Sequence, residues 1–319
     1  MKVGIELEFS SLTSYDNSDY WSKGTDSSIV PEDDISETGE YRLRHPVPFS
    51  HIKPHMKEMA KAISDNSFKV NVSCGTHVHT DMRGTTIAQR KRIVRAWSYL
   101  EPFFFKLVPK YRLKSSYCES VESCTHKLPC THLHDESCSR IECQHVCTTD
   151  CIRELFFLNC VEEHRHLEVC YNTISARCSH NCIDDNCYIL DCKHIHNEDC
   201  KPKAEDCRYH SLNTLAYYKY MSFEYRLGPG SANMEYVYNW TLLLVRFTRW
   251  AMNSSRDKIN LIGKLMSEKR IPFSYFLHFF CHTKEEIGYW AYKVYQYDRV
   301  FFRKQFKENG DTSLVLDRR

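Results

Sequence analysis

Three stretches far apart in the chain alternate strictly between apolar and polar positions. Between Gly4 and Phe9, an extended chain sets Ile5, Leu7 and Phe9 on one side and Glu6 and Glu8 on the other, because successive strand side chains point to opposite faces. Between Phe223 and Leu227, Glu224 and Arg226 stand opposite Phe223, Tyr225 and Leu227. Within Asn71–Thr80, His77 and His79 share a face, Val78 turns towards a core, and Gly75, lacking a Cβ, lets backbone or ligand come close. A fourth stretch, Gly39–Arg44, sets Glu40, Arg42 and Arg44 together before Pro46 and Pro48 close it.

Helical periods fill most of the rest. Ile52, Met56, Met59 and Ile63 recur at helical spacing between Phe49 and Ile63, and Thr86 to Val108 reads as a second helix that opens on a solvated basic run, Arg90–Arg92. A short helix precedes Phe223, a turn is expected at Gly228–Gly230, and Glu235–Met252 predicts a long helix buried along Trp240–Val245. The remainder, through Tyr289–Tyr295, is helical and aromatic, with packing or substrate-shaping roles. The pattern predicts an α+β protein whose strands, laid side by side, collect three carboxylates, two imidazoles and a guanidinium on one sheet face. Carboxylate and imidazole suit a hard or borderline divalent cation and arginine suits a phosphate, so a magnesium-nucleotide site is the natural reading.

Composition divides the chain. Cys118–Cys207 carries eight Lys/Arg against seventeen Asp/Glu, net −9, leaving 35 against 24, net +11, for the remainder of the 319 residues. Fifteen of the seventeen cysteines lie in that same stretch. The expected organisation is a discontinuous body, 1–117 with 208–319, interrupted by an insert at 118–207. A basic body fits an anionic substrate such as a nucleotide. The start at Met1 shows no leader and no apolar run reaches about 18 residues, so a soluble cytoplasmic protein is expected.

The insert holds two copies of Cys-x-His-x-His-x3-Cys: Cys130, His132, His134 and Cys138, then Cys192, His194, His196 and Cys200. Each is accompanied by a Cys-x-His-x-Cys, namely Cys143, His145 and Cys147 in the first half and Cys178, His180 and Cys182 in the second. Cys124 with His126 adds half a site, and Cys151, Cys160, Cys170, Cys187 and Cys207 supply single thiols. Thiolate and imidazole at these spacings suit structural zinc, about three to five ions at four ligands each, with disulfides the alternative. Apart from Leu155–Leu158 the stretch lacks large apolar runs, so metal would supply its folding free energy, on the order of 10 kcal/mol per site. Its acidity repels a phosphate backbone, which argues against a nucleic-acid partner and for a lid or a platform for a protein or peptide.

The ordered set Gly-x-Glu-x-Glu, Asp-x-Ser, Gly-Glu, Asn-x-Ser-Cys-Gly-x-His-x-His, Arg-Tyr-x-x-Leu-Asn and Phe-Glu-x-Arg resembles the amidoligase family, carboxylate-amine ligases related to glutamine synthetase and glutamate-cysteine ligase. The resemblance covers residues 1 to about 117 and 208 to about 250. It implies a glutamine synthetase-like antiparallel sheet with helices packed on one side, and ATP-dependent amide formation between a carboxylate and an amine through an acyl phosphate. It also implies roles. Glu6, His77 and Glu224 would hold one magnesium ion, and Glu8 with Glu40, or Glu37 in its place, the second. His79 would contact the nucleotide phosphates and Arg226 the transferring phosphoryl group. Arg208 would clamp a phosphate or carboxylate, Asp26 would hold the amine, Asn213 joins the carried-over positions, and Arg42 and Arg44 would bind the substrate carboxylate. Amino acids, peptides and protein side chains all qualify as substrates. Two other classes remain open: an inactive ligase fold whose zinc module binds a partner, and a hydrolase using His77, His79 and the glutamates on zinc.

Overall fold

Val3, Ile5, Leu7 and Phe9 are each no more than 1 % exposed, and they form the buried side of β1 (Lys2–Ser11) at the middle of the sheet. The computed structural model describes residues 1–11, 15, 18–31, 37–121, 209–214, 216–268 and 270–307. The other strands are β2 (Trp21–Gly24), β3 (Glu37–Leu43), β4 (Val47–Pro48), β5 (Gly75–Asp81), β6 (Leu212–Asn213) and β7 (Ser222–Pro229). Their order is β2-β3-β1-β5-β7-β6, with β4 also on β1, and every strand pairing is antiparallel.

Register assembles the polar face. Glu6 lies opposite both Arg42 and His77, Glu8 opposite Glu40, and His79 opposite Glu224. A one-residue slip on any strand would send these side chains to the core; the apolar partners Leu7–Tyr41, Ile5–Val78 and Val78–Tyr225 hold the register from below. Pairing slips once. Val78 faces Tyr225 while Thr76 faces Gly228, so β7 carries an extra residue and bulges at Arg226 and Leu227, opposite His77.

Helices α1 (Ile52–Asn66), α2 (Ile87–Phe104) and α4 (Met234–Asn253) share one hydrophobic cluster with the sheet's apolar face. Trp97 of α2 stacks on Phe104 at 4.6 Å and meets Tyr225 at 5.0 Å, and Tyr225 in turn bonds Thr248 of α4 at 2.8 Å. Sequence supplies the helix starts. Thr86 and Gln89 form a capping box, and Asn233 accepts from the Tyr236 N–H at 3.1 Å. The short α3 (Ala216–Tyr220) leads into β7, and α5 (Arg256–Ser267), α6 (Phe273–Phe280), α7 (Lys284–Tyr297) and α8 (Arg299–Phe302) complete the aromatic C-terminal packing, with Trp240 meeting Trp290 at 5.9 Å. No helix among the described residues is long and apolar enough to cross a membrane.

Three expectations shift. The helix expected from Phe49 begins with a 3-10 turn and becomes α-helical at Ile52. The His-x-His strand starts only at Gly75, because Asn71 Oδ1 takes the Ser73 N–H at 2.9 Å and Ser73 Oγ at 2.6 Å and so closes a turn first. The turn expected at Gly228–Gly230 is strand as far as Pro229, which pairs with Gly75 and accepts Thr76 Oγ1 at 2.8 Å.

The expected zinc ligands, all between Cys124 and Cys207, and Arg208 lie outside the described residues. The chain on either side of that segment is well anchored. Glu119 and His210 pair in parallel, with the Glu119 N–H donating to Tyr209 O at 2.8 Å and the Ser211 N–H to Glu119 O at 2.7 Å. Beneath them the buried Glu101 of α2 accepts from Ser120 Oγ at 2.5 Å, from the Val121 N–H at 3.0 Å and from Ser211 Oγ. Cys118, at the start of the cysteine-rich stretch, is fully buried and donates to Arg112 O at 3.3 Å.

Candidate active site

His77 stands at the centre of the polar face. Its Nδ1 lies 3.3 Å from Glu6 Oε2 and 3.3 Å from Glu224 Oε1, and its Nε2 lies 3.4 Å from Glu8 Oε1. Two groups result: Glu6, His77 and Glu224, and Glu8, Glu40 and His77, each with ligand atoms within 4.8 Å of one another. They arise because β1, β3, β5 and β7 each donate the polar half of one alternating stretch.

Fixed partners orient these side chains. Glu8 Oε2 accepts the Gly75 N–H at 2.5 Å, Glu224 Oε2 accepts Asn213 Nδ2 at 2.7 Å, and Glu224 Oε1 accepts Arg226 Nη1 at 2.5 Å. Arg42 is ion-paired to Glu40 and reaches to 3.8 Å from Glu6 Oε1. His79 Nδ1 meets Ser222 Oγ at 3.0 Å. Its Nε2 is buried 3.2 Å from Glu6 Oε1, a charge contact, with no regular hydrogen bond among the described residues.

Four carboxylates against two guanidiniums make the face short of positive charge, and the titration of its groups reflects this. Burial opposes ionisation of Glu6, yet His79 and then His77 hold its carboxyl well below the usual range. Burial likewise opposes Glu224, and Arg226 followed by the two imidazoles keeps it low. Glu40 goes the other way, pushed up to about 8 by burial and then by Glu6, with Arg42 opposing. The His79 imidazole is raised by Glu6 and Glu224 against the effect of burial. Surplus carboxylates around the shared His77 imidazole make a donor set that suits hard or borderline divalent cations, with His79 Nε2 beside Glu6 at its margin.

Glu6, Glu8, Glu40, His77, His79, Glu224, Arg226, Asn213 and Arg42 are therefore brought together. Others are not. Glu37 is ion-paired with Lys23 at 2.8 Å and largely exposed, so Glu40 rather than Glu37 joins the face. Arg44 lies just beyond β3; its Nε donates to Ser18 O at 3.0 Å and it lines a separate cavity of about 560 Å³ with Tyr15, Glu58 and Lys61. Asp26 sits in the β2–β3 connection and caps its own turn through the Ser28 N–H at 2.8 Å. Arg90, expected on a solvated face, lies over the Tyr217 ring at 4.3 Å.

Sequence reasoning missed Ser222, whose role depends on a strand pairing, and Arg112, which lies in a short 3-10 helix among Lys110–Lys114 and carries no pattern of its own. Arg112 is 2 % exposed and bonds the backbone of Arg226 and Leu227.

Comparison with known proteins gives one informative result. Neither curated proteins nor solved structures give a match to this chain. The family model described as "Putative amidoligase enzyme" matches residues 15–248, close to three quarters of the sequence, and spans β3, β5 and β7 with their site residues. The chain belongs to the amidoligase family.

Proposed function

We propose that this chain is an ATP-dependent carboxylate-amine ligase with a glutamine synthetase-like site. The observation that carries the reading is the sharing of one imidazole, His77, between two carboxylate groups beside a buried arginine. Glu6, His77 and Glu224 would hold one magnesium ion and Glu8 with Glu40 the second, His77 giving its one lone pair to the first and its ring N–H to the carboxylates of the other. Bound magnesium would neutralise phosphate oxygens and lower the charge barrier to attack.

In the proposed reaction the acceptor carboxylate attacks the γ-phosphorus of ATP and ADP leaves, giving an acyl phosphate. The amine then attacks the acyl carbon, phosphate leaves, and the amine's proton passes to a base. Arg226 stabilises charge on the transferring phosphoryl group and His79 Nε2 contacts the phosphates. Such catalysis is mainly positioning and charge stabilisation, with one cationic donor accounting for about 2–4 kcal/mol of barrier. Arg42, 44 % exposed and ion-paired with Glu40, would receive the acceptor carboxylate. The Cys/His-rich stretch is read as a structural zinc module that shapes substrate access; its ligand spacings support the zinc part of that reading.

The test is to incubate purified protein with ATP, magnesium and pools of amines and carboxylates, following ADP release and product masses. ADP release that requires both substrates supports the ligase. Substrate hydrolysis without nucleotide replaces it with a metal-dependent hydrolase, and tight nucleotide or partner binding without turnover replaces it with a binding protein. Glu6→Ala and His77→Ala abolish turnover while zinc content stays constant.

A further inference from the structure

Arg112 spends its guanidinium on two carbonyls of one strand. Nη2 donates to Arg226 O at 2.6 Å and Nε donates to Leu227 O at 3.3 Å. These two residues are the bulged pair opposite His77. A bulge takes backbone groups out of the ladder, and a buried carbonyl left without a donor is costly. The rigid fork of a guanidinium satisfies both at once, which a single ammonium does not.

The bulge matters because of what it aims. Past it, Gly228 rather than Leu227 meets Thr76, and a Cβ at Gly228 would stand 2.6 Å from Thr76 O, so the shifted register is built into the sequence. Within it, Arg226 is held on three further sides: its N–H donates to Ser211 O at 2.8 Å, its Nε to Tyr117 O at 3.1 Å, and its Nη1 to Glu224 Oε1 at 2.5 Å. The Arg226 side chain thus reaches Glu224 and the His77 centre from a backbone whose carbonyl is fixed by Arg112.

We propose that Arg112 is a positioning residue of the active site, fixing the β7 bulge so that Arg226 stays locked to Glu224. Its kinetic consequence rests on the ligase reading; its geometric consequence does not. The test uses full-length Arg112→Ala and Arg112→Lys proteins with ¹⁵N-labelled arginine, the Arg226 Nε–H resonance being assigned by its loss in Arg226→Lys.

In wild type this resonance is protected from exchange by Tyr117 O. In Arg112→Ala it shifts and exchanges faster, and guanidinium, added below the concentration that lowers the melting temperature, restores it. kcat falls about 10- to 100-fold, the loss expected when a catalytic group is displaced by about 1 Å, with little change in KM for ATP, and guanidinium recovers part of it. Arg112→Lys falls between, and serves alone if the alanine protein does not fold. An unchanged Arg226 resonance in a folded variant overturns the proposal, as does a lowered melting temperature with kcat intact. If wild type shows no ligase turnover, the ligase reading fails and the Arg226 resonance alone decides the role of Arg112.

Discussion

The backbone N–H of Gly75 donates to Glu8 Oε2 at 2.5 Å, and the space beside it is closed to any side chain: a Cβ at Gly75 would lie 2.8 Å from His77 Nε2 and 3.3 Å from that same carboxylate oxygen. Gly75→Ala should therefore push His77 and Glu8 apart and weaken divalent-cation binding about 10- to 100-fold, the usual cost of disturbing groups that orient ligands. Manganese titration by calorimetry reads it. Gly288→Ala is the control: a Cβ there meets nothing within 4 Å in the middle of α7, so it should raise stability by about 0.5–1 kcal/mol and leave cation affinity unchanged.

Asn213 holds the second oxygen of Glu224 at 2.7 Å while Arg226 and His77 attend the first. Asn213→Ala leaves a buried carboxylate oxygen without its amide donor, for a cost of about 1–3 kcal/mol in denaturant unfolding. Cation affinity should fall in parallel. Asn213→Asp should be worse on both counts, because it sets a second carboxylate against the first.

Ser222 Oγ is the 3.0 Å hydrogen-bond partner of His79 Nδ1, while Glu6 lies beside Nε2. Ser222→Ala removes that orienting bond, so the ¹⁵N shifts of the His79 ring should change and the nucleotide KM rise more than kcat falls. Unmoved ring shifts would remove Ser222 from the site.

Glu40 makes the metal-free protein pH-sensitive in a direction opposite to that of an ordinary salt-bridged glutamate. Folded, its carboxyl titrates at about 8; unfolded, it returns to 4.5. Between those values the folded state binds a proton that the unfolded state lacks, so stability falls as pH rises through the window and flattens above it. Glu6 and Glu224, held low, lose their contributions only at pH values below the window. Melting temperatures across the window should decline for wild type and decline less for Glu40→Gln. A cation entering at Glu40 displaces the proton, so calorimetry in buffers of different ionisation enthalpy should show proton release that Glu40→Gln abolishes.

The strands that carry the site were legible because alternation at period two needs no tertiary information: Glu6 with Glu8, His77 with His79 and Glu224 with Arg226 each declare a face. The helices were legible to within a few residues, since Thr86 and Asn233 are caps by chemistry. Asn71 and Arg44 misled for different reasons. Around Asn71 a local hydrogen bond from Ser73 closes a turn before the strand begins, whereas Arg44, whose backbone N–H still donates to Tyr20 O at 2.9 Å, turns its guanidinium to Ser18 O at the end of β3, away from Glu40. The bulge at Arg226 and Leu227 and its clamp by Arg112 were not legible. A register shift exists only between two paired strands, and the bond from Arg112 to Leu227 joins positions 115 apart in the chain, which no local pattern announces.

The parallel pairing of Glu119 with His210 has a consequence for how this protein can diverge. Two segments running in the same direction cannot be joined by a tight hairpin; the chain must travel back, which takes about a dozen residues or more. Something must therefore fill the gap between Val121 and Tyr209. Beyond that minimum, length is cheap: each doubling of a connection adds only about 0.6 kcal/mol of closure entropy, so stretching a dozen residues to the present span costs about 2 kcal/mol. With Glu101 fastening both ends from below, the body is a host that requires a guest yet is nearly indifferent to its size. With Glu101, Ser120 and Ser211 kept, an unrelated module in place of the cysteine-rich stretch would leave β7 as it is.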